Sequence, residues 1–269
     1  MNVWVLYNNV RLAANRWFAA RLVSAFSERG TDARLVVADT ADDLPCDLPD
    51  IAVNRSADAG IAARLEERGI RLWNNAEITR ICNDKYLTYR ELEEAGIRSM
   101  PNRLVTAEEL DAVSGPFPAV LKSRGGHGGT EVFWIHDQYE LKEAFSTIGQ
   151  PTALLQEPAS DLGKDLRVYV LGSEILIAML RRSETGFRSN FCLGGTVERC
   201  DPIPPEVTRQ VRRITDRFGF GLAGIDFIFN HGRPVFNEIE DAVGTRMLYA
   251  YTDIDAAAVY ADFVLKRVS

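Results

Sequence analysis

The stretch Gly224-Ile225-Asp226-Phe227-Ile228-Phe229-Asn230-His231-Gly232-Arg233-Pro234-Val235-Phe236-Asn237-Glu238-Ile239-Glu240 reads as two short strands joined by a tight turn at Asn230, His231 and Gly232. Residues two apart in an extended strand face the same way. Glu238 and Glu240 therefore share one face, while Ile239 between them points into an apolar layer. The turn brings Asp226 back beside them. Three carboxylates confined together repel one another unless a cation offsets their charge, and hard oxygen donors with no nearby Cys or His suit magnesium or manganese. Taken alone, an acidic hairpin is as a rule a solvated face; what lies upstream changes that reading.

Phe117 to Lys122 reads as a strand ending in a lysine, followed by Ser123, Arg124, Gly125, Gly126, His127, Gly128, Gly129 and Thr130, then a second strand, Glu131 to Ile135. Glycine lets backbone N–H groups approach an anion closely, so four of them in one connection can fold over phosphates, with Lys122 adding a positive charge. The loop is neither a Walker nor a dinucleotide fingerprint, because both need a helix after the glycines and here a strand follows.

The 269 residues, 46% hydrophobic, suffice for a substantial core and two or three lobes. A net charge of -7 argues against broad nucleic-acid binding. No long apolar run and no basic-then-apolar leader is present, so no membrane partner is expected. Cys46, Cys82, Cys192 and Cys200 lack metal-ligand spacing, and a reducing cytoplasm is the expected setting. The order of elements predicts an α/β protein with α+β lobes. Strands at Val3 to Tyr7, Ala33 to Ala38, Ile51 to Asn54 and Arg71 to Trp73 alternate with helices from Arg11 to Glu28 and Asp58 to Arg68, which indicates a parallel sheet covered by helices. Arg11, Asn15, Arg16 and Arg55 are the residues of this lobe able to meet a substrate carboxylate, and they are read as solvated surface. Further on come a helix Asp137 to Thr147, a hairpin Leu166 to Arg181 turning at Gly172-Ser173, a helix Pro205 to Phe218 and a closing helix Asp253 to Lys266. Strand alternation lets only one of Arg181 and Arg182 point into a cleft. His136 and His231 read as turn residues, and His127 as a solvated loop histidine.

From about Asp84 onward the chain resembles the ATP-grasp superfamily, and within it the RimK-type amino-acid ligases. The resemblance is carried in order by Asn83-Asp84-Lys85, Pro118 to Lys122 with the glycine loop, Leu155 to Pro158, Asp165-Leu166-Arg167, Arg181-Arg182, Phe187-Arg188-Ser189-Asn190, Gly194-Gly195, Ala223 to Asp226 and Glu238 to Glu240. It implies an ATP-grasp fold with a short N-terminal lobe at residues 1–82, a central lobe at 83–156 and a C-terminal lobe with the metal site at 157–269. It further implies that Lys85 and Lys122 contact nucleotide phosphates under Gly125, Gly126, Gly128 and Gly129. Glu157 and Pro158 would border the adenine, Asp165 the ribose and phosphates, and Arg188, Ser189 and Asn190 the phosphates and the reacting carboxylate. Asp226, Glu238 and Glu240 would hold Mg2+ or Mn2+. Proline has no N–H, so a donor to adenine would come from a neighbour such as Ala159. Two positions depart from the family: Glu240 stands where asparagine is usual, adding a negative charge, and Phe191, Cys192 and Leu193 precede Gly194 and Gly195 where relatives often keep a basic residue.

The implied activity is an ATP-dependent carboxylate-amine ligation through an acyl phosphate, forming ADP and joining an amino acid such as glutamate to an amine. Its partners would be small-molecule or peptide carboxylates and amines, and a homo-oligomer is compatible with the dimers and tetramers common among relatives. An ATP-grasp phosphotransferase and an inactive nucleotide-binding sensor or scaffold are the competing readings. Joint retention of Lys122, Arg188, Asn190, Asp226 and Glu238 disfavours the latter.

Overall fold

The computed structural model describes residues 1–125, 131–183 and 195–268. The first lobe is a parallel sheet of β1 (Asn2–Tyr7), β2 (Asp32–Val37), β3 (Ile51–Asn54) and β4 (Arg71–Trp73) in the order β2-β1-β3-β4. Its inner strands β1 and β3 are buried on both faces, as central parallel strands require, while the edge strand β2 is largely exposed. Val3, Val5 and Tyr7 meet Phe18, Leu22 and Phe26 of α1 (Asn9–Ser27), while Trp4 and Leu6 meet Ile61 and Leu65 of α2 (Ala59–Glu67) on the other side. Each helix starts where a side-chain oxygen takes up an orphan N–H: Asn8 accepts from Arg11 N, and Asp58 from Ile61 N.

Two helices follow, α3 (Ala76–Cys82) and α4 (Lys85–Glu94). The central lobe is an antiparallel sheet of β5 (Asn102–Thr106), β6 (Ala119–Ser123), β7 (Val132–Ile135) and β8 (Thr152–Gln156), ordered β5-β8-β6-β7 and covered by α5 (Gln138–Ile148) through Leu141, Phe145 and Ile148. Ser123 N donates to Glu131 O at 3.1 Å, closing the base of the glycine loop.

The last lobe is an antiparallel five-stranded sheet, β11-β10-β9-β12-β13, from β9 (Asp161–Leu171), β10 (Glu174–Arg182), β11 (Thr196–Arg199), β12 (Leu222–Asn230) and β13 (Arg233–Glu240). One face packs Leu166, Val168, Ile225 and Phe227 against α3, α4 and α6 (Pro205–Arg217). α4 thus packs on this sheet, although it precedes the central lobe in the chain. The opposite face is apolar at Tyr169, Leu171 and Met179, which meet α1 and the closing helix α8 (Ala256–Leu265); a short α7 (Arg246–Tyr251) precedes it. Further along the same face the side chains become charged, and there the site lies.

The expected hairpin forms with Asp226 opposite Glu238 and Gly224 opposite Glu240, but its register shifts between Asp226 and Phe227. Asn237 is the extra residue of a β-bulge. Simple alternation would put Phe236 and Glu238 on one side; the bulge lets Phe236 and Ile239 both enter the apolar core while Glu238 and Glu240 turn the other way.

Candidate active site

On the polar face β9, β10, β12 and β13 each deliver charge to one point. Asp226, 1% exposed, accepts from Arg167 Nε at 2.8 Å on Oδ1, and from Arg167 Nη2 at 2.6 Å and Arg181 Nη2 at 2.9 Å on Oδ2. Arg167 Nη2 also donates to Glu240 Oε1 at 2.6 Å, and Arg181 bonds both oxygens of Asp165. Burial works to raise the Asp226 pKa, yet the two guanidinia outweigh it and hold the carboxylate below its ordinary value. For Arg167 the same burial opposes charge, and Asp226 and Glu240 overcome it. The added charge at Glu240 is thereby met by Arg167.

The second source of charge is the central lobe and the start of α4. Lys122, at the end of β6, reaches across the cleft and donates from Nζ to Asn237 Oδ1 at 3.1 Å. Burial pushes its pKa down to about 8, Glu238 pulls it up and Lys85 pushes it down again. Lys85 Nζ lies 3.7 Å from Glu238 Oε2. Glu238 keeps a pKa above its ordinary value, first through burial and then through Asp226 and Glu240, with Lys85 and Lys122 opposing. Lys85 is placed by its helix cap: the Asp84 carboxylate accepts from Tyr86 N and Leu87 N and also pairs with Arg124, while Lys85 N donates to Arg124 O at 2.9 Å. The first residues of the glycine loop are thus tied to the N-terminus of α4.

Ligand oxygens of Asp226, Glu238 and Glu240 lie within 4.8 Å of one another, so the three expected metal ligands do converge. They are not equivalent. Asp226 spends three bonds on arginines and Glu240 one, whereas Glu238 lies 3.7 Å from Lys85 Nζ. A carboxylate has about four acceptor positions, so this all-oxygen set fits a hard divalent cation chiefly through Glu238 and Glu240, with Asp226 held from behind.

Other expected residues fare differently. Asp165 is buried in its pair with Arg181 rather than presented to the cleft. Glu157 uses its N–H on Pro101 O at 2.9 Å and Pro158 has none, which leaves Ala159 as the next backbone donor of that segment. Of the adjacent pair, Arg181 turns inward and Arg182 outward to Glu198. Gly125 is described; Gly126, His127, Gly128, Gly129, Arg188, Ser189, Asn190, Phe191, Cys192 and Leu193 lie outside the described residues. Arg55 corrects the sequence reading. It is 1% exposed rather than surface, and Arg11 beside it is largely buried, because β3 ends under the segment that follows β13: Arg55 Nη2 donates to Val243 O at 2.6 Å. Arg16 is exposed as expected. Asn237 was missed, since a bulge leaves no mark in a single sequence beyond the three-residue spacing of Phe236 and Ile239.

Residues 82–264 match the family model described as the RimK-like ATP-grasp domain. Over 250 residues the chain is 29% identical to the Mycoplasma pneumoniae "Uncharacterized protein MG011 homolog", an alignment covering 91% of this chain and 85% of that protein. N-acetylaspartylglutamate synthase A of Homo sapiens is 28% identical over 229 residues, 81% of this chain and 58% of the human protein. Among solved structures, the RimK domain protein ATP-grasp from Sphaerobacter thermophilus superposes with a TM-score of 0.75 at 26% identity, covering 98% of this chain and 100% of that one. The parallel-sheet lobe followed by two antiparallel lobes is accordingly an ATP-grasp fold. With a family model spanning well over half the residues, and Lys122 of the central lobe and Lys85 of α4 reaching Asn237 and Glu238 of β13, the chain belongs to the RimK-like ATP-grasp family of ligases.

Proposed function

We propose that the protein is an ADP-forming carboxylate-amine ligase that couples an amino acid, glutamate being the leading candidate, to a second substrate through an acyl phosphate. The observation that carries this reading is the convergence of Lys122, from across the cleft, and Lys85, from the start of α4, on the strand end that carries Glu238, cations suited to phosphate beside carboxylates suited to a metal ion. The name of the human relative, a synthase of a glutamate-containing amide, supports the choice of glutamate.

A carboxylate is a poor electrophile, so one of its oxygens first attacks the terminal phosphorus of ATP and ADP departs. The amine nitrogen then attacks the acyl carbon, inorganic phosphate leaves, and the nitrogen gives up its proton. Lys122 and Lys85 would bind phosphate oxygens and offset charge building on the transferring group. Arg167 and Arg181 would orient Asp226 and Glu240 from beneath. Arg188 and Asn190 keep the roles their motif implies, at the phosphates and the reacting carboxylate. Magnesium or manganese held by Glu238, Glu240 and Asp226 would neutralise charge on adjacent phosphate oxygens.

The test is incubation with ATP, magnesium, a panel of carboxylic acids and hydroxylamine. ADP and a hydroxamate should form with the correct carboxylate, and Glu238→Gln should lower that rate roughly 100-fold or more. Its melting temperature should stay near that of the parent. ADP formation that never depends on a carboxylic acid, with nucleotide binding intact, would hand the case to the sensor reading.

A further inference from the structure

On the side of the last sheet that carries α6, away from the carboxylate cluster, a cleft of about 790 Å³ opens. Its walls are α6, the connector at residues 96–101 that leads from α4 to β5, and the turn joining β12 to β13. Its charge is one-sided. Arg98 from the connector, Arg209, Arg212 and Arg213 from α6 and Arg233 from the turn all line it, and Glu206 is the one acidic residue of the lining. All five arginines are exposed, and none forms an ion pair among the described residues. Arg217, one turn further along the same helix, pairs with both Glu77 and Glu91. The helix is thus neutralised at its end and left positive at the cleft.

Such a cluster works against the fold. Residues three and four apart are neighbours on a helix, so Arg209, Arg212 and Arg213 repel one another, and all three precede the last turn, where the helix dipole would favour a cation. An anion lying between them removes the repulsion. The chain as a whole carries a net charge of -7, so a long polyanion such as nucleic acid meets repulsion over most of the surface, while a compact one feels mainly the local field of the cleft. An extended acidic peptide is also poorly served. β13 is an edge strand, but Ser99 already bridges Phe236 along it and Pro234 has no N–H to offer, so recognition here falls to side chains. A volume of several hundred Å³ is that of a small-molecule site. Guanidinium forks fit carboxylate and phosphate alike, but a phosphate group has three terminal oxygens and can bridge two arginines at once.

We propose that this cleft is a second anion site, which binds a compact polyphosphate held by Arg209 and Arg213 on one wall and by Arg98 and Arg233 on the other. It adjoins the nucleotide side of the molecule without belonging to it. Pro101, at the end of the connector, lines the cleft, and its carbonyl accepts from Glu157 N at 2.9 Å in the segment expected to border adenine.

Calorimetry with inorganic tripolyphosphate, in EDTA and at low salt, tests this on the full chain. Tripolyphosphate should bind the parent, and its affinity should fall roughly ten-fold or more in each of Arg209→Gln and Arg213→Gln. It should hold within about two-fold in Lys122→Gln, which alters the ATP cleft, and in Arg182→Gln, which removes the same charge from an exposed arginine elsewhere. Melting temperatures of the two cleft variants should match that of the parent, since both side chains are exposed, so lost binding is not lost folding. Cyclic trimetaphosphate should bind roughly ten-fold more tightly than citrate, which has similar charge but carries it on carboxylates. Absence of binding overturns the proposal, as does a loss in Lys122→Gln that the arginine variants do not share. An equal loss in Arg182→Gln would reduce it to diffuse attraction, and citrate binding as tightly as trimetaphosphate would remove the phosphate assignment. An RNA hairpin that binds more tightly than tripolyphosphate, and is released by the same two substitutions, would give the cleft to nucleic acid instead.

Discussion

At the scale of single residues, the charged cluster separates groups that hold from groups that respond. Asp226 is fixed in its anionic form by two arginines and will not change over ordinary pH. Lys122 will. Its pKa of about 8 in the free protein means that near neutrality it is mostly charged, and that the charge is lost as pH rises through that value. A bound phosphate would raise the pKa, so binding takes up a proton above about pH 8 and weakens there. The expected result is a roughly ten-fold loss of ATP affinity between pH 7 and pH 9, by linkage to one proton. Calorimetry at the two pH values checks it, with Lys122→Arg, which stays charged, expected to flatten the dependence. A profile equally steep in Lys122→Arg would place the titrating group elsewhere.

At the scale of elements, the bulge in β13 decides which side chains reach the cleft. Removing Asn237 would leave Phe236 next to Glu238, and strict alternation alone would then keep Phe236 and Ile239 in the core with Glu238 and Glu240 in the site. The deletion variant should therefore still unfold cooperatively, with a regular hairpin in place of the bulge; a variant that no longer folds would refute this account of the strand. This is also where the reach of the sequence ends. The alternation of Glu238, Ile239 and Glu240, the tight turn and the limit of one inward residue to the pair Arg181 and Arg182 were legible; which of the two turns inward was not. The partnership of Arg167 with Asp226 was not, because it depends on how β9 and β12 are registered, and register is settled by tertiary packing rather than by either strand alone. Arg55 misled for a related reason. A lone arginine reads as surface until one knows what passes over it, and here that is a segment 188 residues away.

At the scale of the whole molecule, the two ends of the chain share one core. α8 lays Tyr260 and Val264 against α1, and Tyr260 O–H donates to Trp73 O at 3.2 Å. Arg21 pairs with Asp255 and Arg29 with Asp262 along the rim. Burying Tyr260 and Val264 contributes about 2 kcal/mol each, a large part of the roughly 5–15 kcal/mol that holds a domain together. Truncation before Asp253 should therefore unfold the parallel lobe, read as loss of protection from hydrogen exchange in β1 and α1. Protection there equal to that of the full chain would show that the lobe stands without α8. Among the described residues no helix is long and apolar enough to cross a membrane; the apolar face of α1 packs on β1 and α8.

That shared core has a consequence for birth as well as for stability. A ribosome releases α1 long before it has made Ala256, so the part of α1 that α8 covers must wait for the rest of translation even after the sheet has met Phe18, Leu22 and Phe26. During that interval the nascent chain is a natural client for a chaperone that shelters exposed hydrocarbon, and slow synthesis lengthens the exposure.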